Sequence, residues 1–376
     1  MPSLTLSLTP NPIAAGLLSE PQLCYALLTA GATGGEGARP VNWALVADAS
    51  RSMRIPIVDE AQFRELIREG GAQEVLVDGV PVWQLSGPVP PDVRAATRSA
   101  LDHVARALHS VVERLDGQDR FALVACAEEA VLLTRSASGA NRTELVRGIA
   151  RLAGLNLGEQ TDLARGIDLA LDELRRGRAA AGAANRAERL LLLTDGFTQR
   201  PEACLALASA AAAESVAIST IGLGGEFQEE VLTGLADRSG GRALFLSKPE
   251  KIPHAVAAEL DAARAAAVRA VTLRVAPTEG AALRRATRIR PALATLHEDA
   301  AAAPASLPLG DIAAGAAVTL LLEFLAPPRP DGRAPLAQLA LSSAGAPDVE
   351  AELFVTYQSA VPAHPPEVLD AAARAA

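Results

Sequence analysis

The sequence predicts a doubly wound α/β domain with a mostly parallel sheet, inserted into a β-sandwich that both chain ends build. Between about residues 41 and 266, short apolar runs alternate with longer helical stretches. This alternation is typical of parallel sheets with helices on both faces. Near both ends of the chain, strand-like segments replace the alternation. Because strands left alone would expose open edges, we expect the two terminal sets to pair with each other.

The first forty residues supply the N-terminal strands. Residues 3–9 alternate apolar and polar side chains, which predicts a half-buried strand, and residues 22–29 predict a second strand. A loop rich in Gly and Ala follows at 31–40.

Strand and helix signals then alternate through the α/β part. Strands are expected at 42–47, 121–126, 189–194, 216–222 and 243–247. Helices are expected at about 91–115, 142–152, 162–176, 201–213, 226–239 and 249–267. Pro90-Pro91-Asp92 and Pro201 act as helix-start signals. The run Leu190-Leu191-Leu192-Leu193 indicates a strand covered on both faces.

Beyond residue 269 the helical pattern fades. Four further strands are expected, at 270–275, 317–326, 336–342 and 351–358. The predicted division is therefore 1–40 for the first strands, 41–266 for the α/β domain, 267–358 for the last strands and 359–376 for a tail. A helix begins near Pro365 and stops with the sequence at Ala376, which leaves open a continuation of the natural chain.

Residues 54–90 fit neither pattern and are interpreted as an insertion in the α/β domain. They contain a short helix candidate at 61–68 and two apolar runs around Asp78-Gly79, a strong hairpin signal. Trp83 lies in this hairpin, either in a small local core or as an exposed anchor for a partner.

Composition narrows the class of protein. Of 376 residues, 49% are hydrophobic and 21% charged, with a net charge of −9, which indicates a globular chain without an affinity for nucleic acid. Three cysteines without CxxC spacing predict reduced, buried thiols rather than disulfides or a zinc site. The N-terminus lacks a basic start and a continuous apolar core, and no apolar run reaches membrane-spanning length. We therefore expect a cytoplasmic protein.

Polar residues at three strand or helix ends identify a candidate site. Asp48, Ser50 and Ser52 follow the first strand of the α/β part, and Asp195 follows the strand "LLLLT". Thr161 lies at or near a helix N-cap. Ligands of open α/β sheets bind beyond the carboxyl ends of the strands, so we expect these side chains to converge. We also expect Asp48, Ser50 and Ser52 to point the same way because they alternate along an extended loop.

The chemistry of this set favours a hard cation. Two carboxylates and three hydroxyls offer only oxygen, which suits Mg²⁺, Mn²⁺ or Ca²⁺ better than zinc or copper. Since so few side chains are available as direct ligands, at least one coordination position is expected to stay open to water or to an outside oxygen.

The order Asp48-x-Ser50-x-Ser52, then Thr161, then Asp195 in "TDG" resembles the metal-ion-dependent adhesion site of von Willebrand factor A domains, which have a Rossmann-like fold. The resemblance covers about residues 41–266, and the flanking strands are similar to those of bacterial cytosolic members. It implies that Ser50 and Ser52 ligate the metal through their hydroxyls, and that Thr161 ligates directly in the ligand-bound state.

The same resemblance implies that Asp48 and Asp195 act partly through water. An Asp or Glu of a partner protein would then complete the metal's octahedron. In bacterial relatives the partners are sometimes an AAA-type ATPase or a membrane complex, and nothing in the sequence selects one. Neither the identity of the partner nor the oligomeric state follows from the sequence.

Two departures from the family pattern concern the surroundings of the site. The threonine loop reads Gly158-Glu159-Gln160-Thr161, without the Gly-Gly or Gly-Ser that often precedes the threonine in the family, so Glu159 or Asp162 is expected nearby. The insertion is also unusually long. Its Asp59 or Glu60, or its hairpin, is a candidate for covering the metal in an autoinhibited state, while a decorative excursion is the alternative. Arg51, within the motif, is a further candidate partner contact or a solvated side chain.

Other function classes stay open at this stage. A serine hydrolase would need a base and an oxyanion hole, and no Gly-x-Ser-x-Gly surrounds Ser50. A metal-dependent phosphatase would need a nucleophile and a basic residue for the phosphate, and Arg51 is the one candidate within the motif. A scaffold with a vacant site is the third possibility. We therefore predict a non-enzymatic binding module.

Overall fold

A computed structural model describes residues 2–35, 39–57, 60–77, 80–85, 97–158, 160–181, 186–224, 227–301, 303–359 and 366–375. The strands are β1 (Ser3–Thr9), β2 (Ile13–Gly16), β3 (Gln22–Thr33), β4 (Val41–Asp48), β5 (Pro56–Ile57), β6 (Ala72–Val77), β7 (Val80–Leu85), β8 (Arg98–Ser99), β9 (Arg120–Cys126), β10 (Ala130–Ser138), β11 (Ala187–Thr194), β12 (Ala217–Leu223), β13 (Ala243–Leu246), β14 (Ala266–Pro277), β15 (Ala282–Arg290), β16 (Ala294–Ala301), β17 (Ala305–Ala313), β18 (Ala317–Ala326), β19 (Gly332–Ala344) and β20 (Val349–Gln358). The helices are α1 (Glu60–Arg68), α2 (Ala100–Arg114), α3 (Arg142–Leu152), α4 (Leu163–Ala181), α5 (Pro201–Ala213), α6 (Glu229–Ser239), α7 (Ile252–Arg264) and α8 (Pro366–Ala375).

The α/β domain is built on one six-stranded sheet in the order β10-β9-β4-β11-β12-β13. All neighbouring strands run parallel except β9 and β10. Side chains from β4 alternate between two hydrophobic clusters, one on each face of the sheet. Helices α2, α3 and α7 cover one face, and α4, α5 and α6 cover the other. The domain is therefore doubly wound, as the continuous apolar runs predict.

Two five-stranded sheets contain the strands from both chain ends. Their orders are β1-β3-β18-β15-β16 and β17-β14-β19-β20-β2. Strands β3 and β18 pair antiparallel over ten residue pairs, from Gln22↔Ala326 to Gly31↔Ala317. Side chains from both sheets share one buried cluster. The N-terminal and C-terminal strands thus close a common core, while α8 packs on the outer face of the first sheet through Val368 and Ala371.

Some elements differ from the sequence-based expectation. The helix expected from about residue 91 begins at Ala100, because Ser99 caps it: Ser99 Oγ accepts from Asp102 N at 3.2 Å, and Ser99 N donates to Asp102 Oδ2 at 2.8 Å. This reciprocal capping box marks the start of α2. The Pro90-Pro91-Asp92 signal lies outside the described residues. The described residues of the C-terminal part form seven strands rather than four. Three strands were missed. Strands β15 and β16 carry charged side chains that interrupt the apolar alternation, including the pair Arg285–Glu298. Strand β17 contains Pro308 and Gly310, two residues that disfavour a strand prediction.

The insertion contains the predicted short helix, α1, and the predicted hairpin. Strands β6 and β7 pair antiparallel with Val77 opposite Val80, while the turn residues 78–79 lie outside the described part. Strand β5, which follows the candidate site, pairs with β8 immediately before α2. The two ends of the inserted segment therefore lie side by side. The three cysteine thiols are free and buried, as predicted. No helix within the described residues is long and apolar enough to cross a membrane.

Candidate metal centre

Asp48 is the last residue of β4 and the centre of the candidate site. It is fully buried, and its Oδ1 accepts from the backbone N–H of Ser50 at 2.8 Å. The chain then curls into a short 3-10 turn at Ser52–Arg54, in which Ile55 N donates to Ser52 O at 3.1 Å. The expectation of an extended loop is therefore wrong. The hydroxyls of Ser50 and Ser52 come within 3.0 Å of each other because the chain turns around the Asp48 carboxylate.

The loop after β11 closes the second side of the site. Ser52 Oγ donates to Asp195 Oδ1 at 2.7 Å, which joins this loop to the one after β4. Thr194 Oγ1 donates to Asp48 Oδ2 at 2.5 Å and accepts from Gly196 N at 3.2 Å. Thr194 is not among the site residues predicted from the sequence. The available signal is a hydroxyl that ends an apolar strand immediately before Asp195.

Thr161 approaches from the third side. It is buried, and its hydroxyl lies 3.5 Å and 3.4 Å from the two Asp48 carboxylate oxygens. It precedes α4 by two residues and is fixed by backbone contacts rather than by a helix cap: it bridges to Thr198, and its carbonyl accepts from Gln199 N at 3.0 Å. The loops after β4 and β11 and before α4 therefore meet at Asp48.

The neighbouring acidic side chain, Asp162, has a different role. Its Oδ2 accepts from Arg165 Nε at 3.0 Å and forms an ion pair with Arg200 at 2.7 Å. Burial would raise the Asp162 pKa, but these two arginines lower it overall. Asp162 is thus already neutralised by cations, unlike Asp48 and Asp195. Glu159, the other acid expected here, lies outside the described residues.

The charged forms of Asp48 and Asp195 are both disfavoured by their surroundings. Burial raises the Asp48 pKa against the lowering effect of its hydrogen bonds from Thr194, Ser50 and Thr161. Burial also raises the Asp195 pKa to about 6, the charge of Asp48 adds to the increase, and the Ser52 hydrogen bond opposes it. Neither carboxylate takes part in an ion pair with a described residue. A buried carboxylate and a half-buried one, neither paired with a described cation, are what a bound divalent ion would stabilise.

The donor set fits a hard divalent cation. Carboxylate and hydroxyl oxygens are the ligands that Mg²⁺, Mn²⁺ and Ca²⁺ prefer. Across the described part of the chain, no group of three or more His, Cys, Asp or Glu side chains is placed to hold a metal ion. A cation at Asp48 would accordingly depend on the hydroxyls of Ser50, Ser52 and Thr161 as well as on the two carboxylates.

The residues predicted to contact a partner are only partly described. Arg51 is exposed at the start of the 3-10 turn. Trp83 lies in β7 opposite Glu74, and Glu60 opens α1. Asp59 lies outside the described residues. That Trp83, Arg51, Asp59 or Glu60 touches a partner, or that the insertion covers the metal, stays a prediction.

A family model for the von Willebrand factor type A domain matches residues 94–258. This segment contains Thr161 and Asp195, whereas Asp48, Ser50 and Ser52 precede it beyond the insertion. An uncharacterized protein of Synechocystis sp. is 25% identical over 156 residues, which are 41% of this chain and 35% of that protein. The chain thus spans about a third of the length of this curated relative.

Solved structures extend the likeness to the whole chain at the level of fold. A von Willebrand factor type A protein from Catenulispora acidiphila has a TM-score of 0.70 at 15% identity, covering 100% of this chain and 79% of that one. The ArnB paralog VWA2 from Sulfolobus acidocaldarius has a TM-score of 0.52 at 15% identity, covering 98% of this chain and 78% of that one. Both alignments include the terminal strands as well as the α/β domain, since they cover almost every residue.

Proposed function

We propose that this chain, which carries a von Willebrand factor type A domain, binds a partner protein through a divalent cation held at Asp48. The cation is Mg²⁺, with Mn²⁺ or Ca²⁺ as alternatives, and the partner presents an Asp or Glu side chain. One observation carries the proposal: the buried Asp48 carboxylate has no cation partner among the described residues, and side-chain oxygens gather around it. These oxygens belong to Ser50, Ser52, Thr161 and Asp195.

Each residue has a distinct task in this proposal. The Ser50 and Ser52 hydroxyls and the Thr161 hydroxyl hold the cation, while Asp48 and Asp195 neutralise its charge and orient the hydroxyls and waters around it. Ser52 is already oriented in this way by its 2.7 Å hydrogen bond to Asp195. When bound, the cation supplies a strong and geometrically strict contact for one carboxylate of the partner. The proposed activity is binding without catalysis.

The proposal also concerns the organisation of the chain. We place the α/β domain at about residues 41–266, with residues 1–40 and 267–358 building the sandwich and 359–376 a tail. We also propose a cytoplasmic location, as in the bacterial cytosolic members that the sequence resembles.

The experiment that tests the proposed function combines metal binding with partner capture. Calorimetry with Mg²⁺ and Mn²⁺ should show heat for the wild type and none for Asp48→Ala. Pull-downs from a lysate in Mg²⁺ and in EDTA should then differ in at least one protein for the wild type alone. A wild-type chain with neither heat nor thermal shift would refute the metal site, and metal binding without any Mg²⁺-dependent capture would refute the interaction role.

The stabilisation that Mg²⁺ gives should depend on pH. In the metal-free protein the Asp195 pKa is raised to about 6, above its unfolded value of about 3.9. Its protonation therefore stabilises the fold fully below about pH 4, and this contribution is lost as pH rises through about 6. Because Mg²⁺ competes with that proton, the Mg²⁺-induced increase in Tm should be larger near pH 7.5 than near pH 5.

Differential scanning fluorimetry across this pH range, with and without Mg²⁺, measures the difference. Asp237→Asn is a useful control. The Asp237 pKa is also raised by burial, but its carboxylate pairs with Arg288 and lies away from the site. This variant should keep the wild-type pH profile of the Mg²⁺ response. An equal Mg²⁺ response at both pH values would contradict a cation bound at Asp195.

A further inference from the structure

Exposed apolar side chains lie in the loops around Asp195 and in the neighbouring strand β13. Ile55 and Phe197 are 55% and 59% exposed, although both lie in loops that hold the site. Phe245, at 41% exposed, stacks on the half-buried Phe227 with ring centroids 5.1 Å apart. We call these four residues the apolar rim. Large apolar residues are usually buried, so a group of them at one edge indicates a contact surface.

The apolar rim adjoins the candidate metal site. Phe197 is two residues from Asp195, and Ile55 is three residues from Ser52, whose hydroxyl donates to Asp195. These chain lengths limit the Cα separations to at most about 7 Å and about 11 Å. Phe197 and Ile55 are therefore both close to the Asp195 carboxylate, which would face a bound cation.

Two contacts continue the rim from Phe197 toward β13. Thr198 N, next to Phe197, donates to the side chain of Gln228, next to Phe227, at 3.1 Å. Phe227 and Phe245 in turn pack over Gly222, where an added Cβ would lie 3.0 Å from an atom of each ring. Gly222 is the ladder partner of Thr194. A glycine at this position thus makes room for the stacked pair immediately beside the site.

The backbone that carries the two most exposed rim residues is fixed. Thr198 is buried, bridges to Thr161 and accepts from Leu163 N at 3.1 Å. On the other side, Met53 is fully buried and Ile55 N donates to Ser52 O at 3.1 Å. Side chains displayed from a fixed backbone lose little conformational entropy on binding, which suits them to anchor a partner.

The charges around the rim favour an acidic partner. The side chains of Arg165 and Arg200 are 58% and 50% exposed, and both pair with the single carboxylate of Asp162 beside Thr161. Within this cluster the two guanidiniums outnumber the one carboxylate by a single positive charge. An acidic segment with apolar residues is thus complementary to both the charge and the apolar rim.

We infer that the partner binds through a segment that combines an Asp or Glu with a large apolar side chain within a few residues, the acid facing the site and the apolar group packing on Phe197 and the apolar rim. This inference rests on the proposed function and adds the recognition of the flanking residue. The acid alone would recognise any exposed carboxylate, so the rim supplies the sequence preference.

A random peptide library with a fixed central Asp tests the inference, with selection on the full chain in Mg²⁺ and elution by EDTA. Selected peptides should be enriched in aromatic or aliphatic residues within four positions of the Asp. Fluorescence polarisation should show that Phe197→Ser weakens a selected peptide about tenfold. The matched control is Leu293→Ser, which removes a side chain of similar exposure, 58%, in the turn between β15 and β16 and should leave the affinity unchanged.

The outcomes separate the two proposals. Mg²⁺-dependent peptides without an apolar preference, or equal affinities for wild type and Phe197→Ser, would overturn the inference and leave the proposed function standing. A library without any Mg²⁺-dependent peptide would overturn both. A Mg²⁺-dependent dimer in sedimentation that Phe197→Ser abolishes would assign the apolar rim to a second copy of this chain and overturn the inference. In every case Phe197→Ser should keep the wild-type Mg²⁺-induced shift in Tm, which shows that the variant is folded.

Discussion

Replacement of Asp48 by Asn should abolish the response to Mg²⁺ while leaving the metal-free protein as stable as the wild type or more so. Asp48 is fully buried, its pKa is raised by burial, and the charge of Asp195 lies close by. An amide of the same shape removes that buried charge and its repulsion, and its oxygen still accepts from Ser50 N. The same change removes half of the negative charge that would hold the cation.

The size of the lost Mg²⁺ stabilisation follows from the binding equilibrium. At a Mg²⁺ concentration about 100-fold above the dissociation constant, binding to the folded state stabilises it by about 2.7 kcal/mol. For a domain of this size that corresponds to roughly 5–10 °C in Tm. Thermal unfolding in EDTA and in Mg²⁺ should show this shift for the wild type and none for Asp48→Asn.

A buried carboxylate elsewhere provides the matched control. Glu173 in α4 is 1% exposed, accepts from Ser136 N at 2.8 Å and pairs with Arg176 at 3.0 Å. Because its charge already has a partner, Glu173→Gln should lower Tm in EDTA but keep the full Mg²⁺ shift, the opposite of Asp48→Asn on both measurements. A large loss of metal-free stability in Asp48→Asn, with the Mg²⁺ shift retained, would mean that Asp48 is a structural hydrogen-bond acceptor and not part of a cation site.

The sequence was sufficient to bring Asp48, Ser50, Ser52, Thr161 and Asp195 together, because strand ends of a parallel sheet meet at one edge. It was not sufficient for their detailed arrangement. The loop after β4 combines the bond from Ser50 N to Asp48 with a 3-10 turn at Ser52–Arg54, and the sequence pattern carries no signal for this turn. Thr194 was not predicted because it donates to Asp48 only when β11 lies beside β4. The local sequence does not indicate that pairing.

The fold divides in the same way. The parallel strands of the α/β domain were predictable because burial on both faces leaves uninterrupted apolar runs such as 190–193. The edge strand β10 was missed because much of it is only half buried, and β15 and β16 were missed because charged pairs interrupt their apolar alternation. The apolar rim was not predictable from sequence at all. A phenylalanine in a sequence is normally expected to be buried, and only the structure shows that Phe197 is 59% exposed.

Replacement of Gly310 by Ala should destabilise the protein strongly, because two glycines bring the α/β domain and the sandwich into backbone contact. Gly310 in β17 has φ +79°, and an added Cβ would lie 2.0 Å from the carbonyl oxygen of Gly240, which ends α6 with φ +75°. The left-handed conformation alone costs an alanine about 1–2 kcal/mol. The overlap adds about 1–3 kcal/mol, since one of the two backbones must move.

Gly315→Ala separates these two causes. Gly315 has a similar φ of +74°, but an added Cβ would meet nothing within 4 Å. Gly315→Ala should therefore lose only the stability that the left-handed conformation costs. In urea unfolding, the free energy of unfolding of Gly310→Ala should be lower than that of Gly315→Ala by the cost of the steric overlap. Because Gly240 follows α6 at the end of the sheet remote from Asp48, both variants should keep the Mg²⁺-induced stabilisation below their unfolding transitions. Equal destabilisation of the two variants would show that β17 and the end of α6 are not in backbone contact in solution.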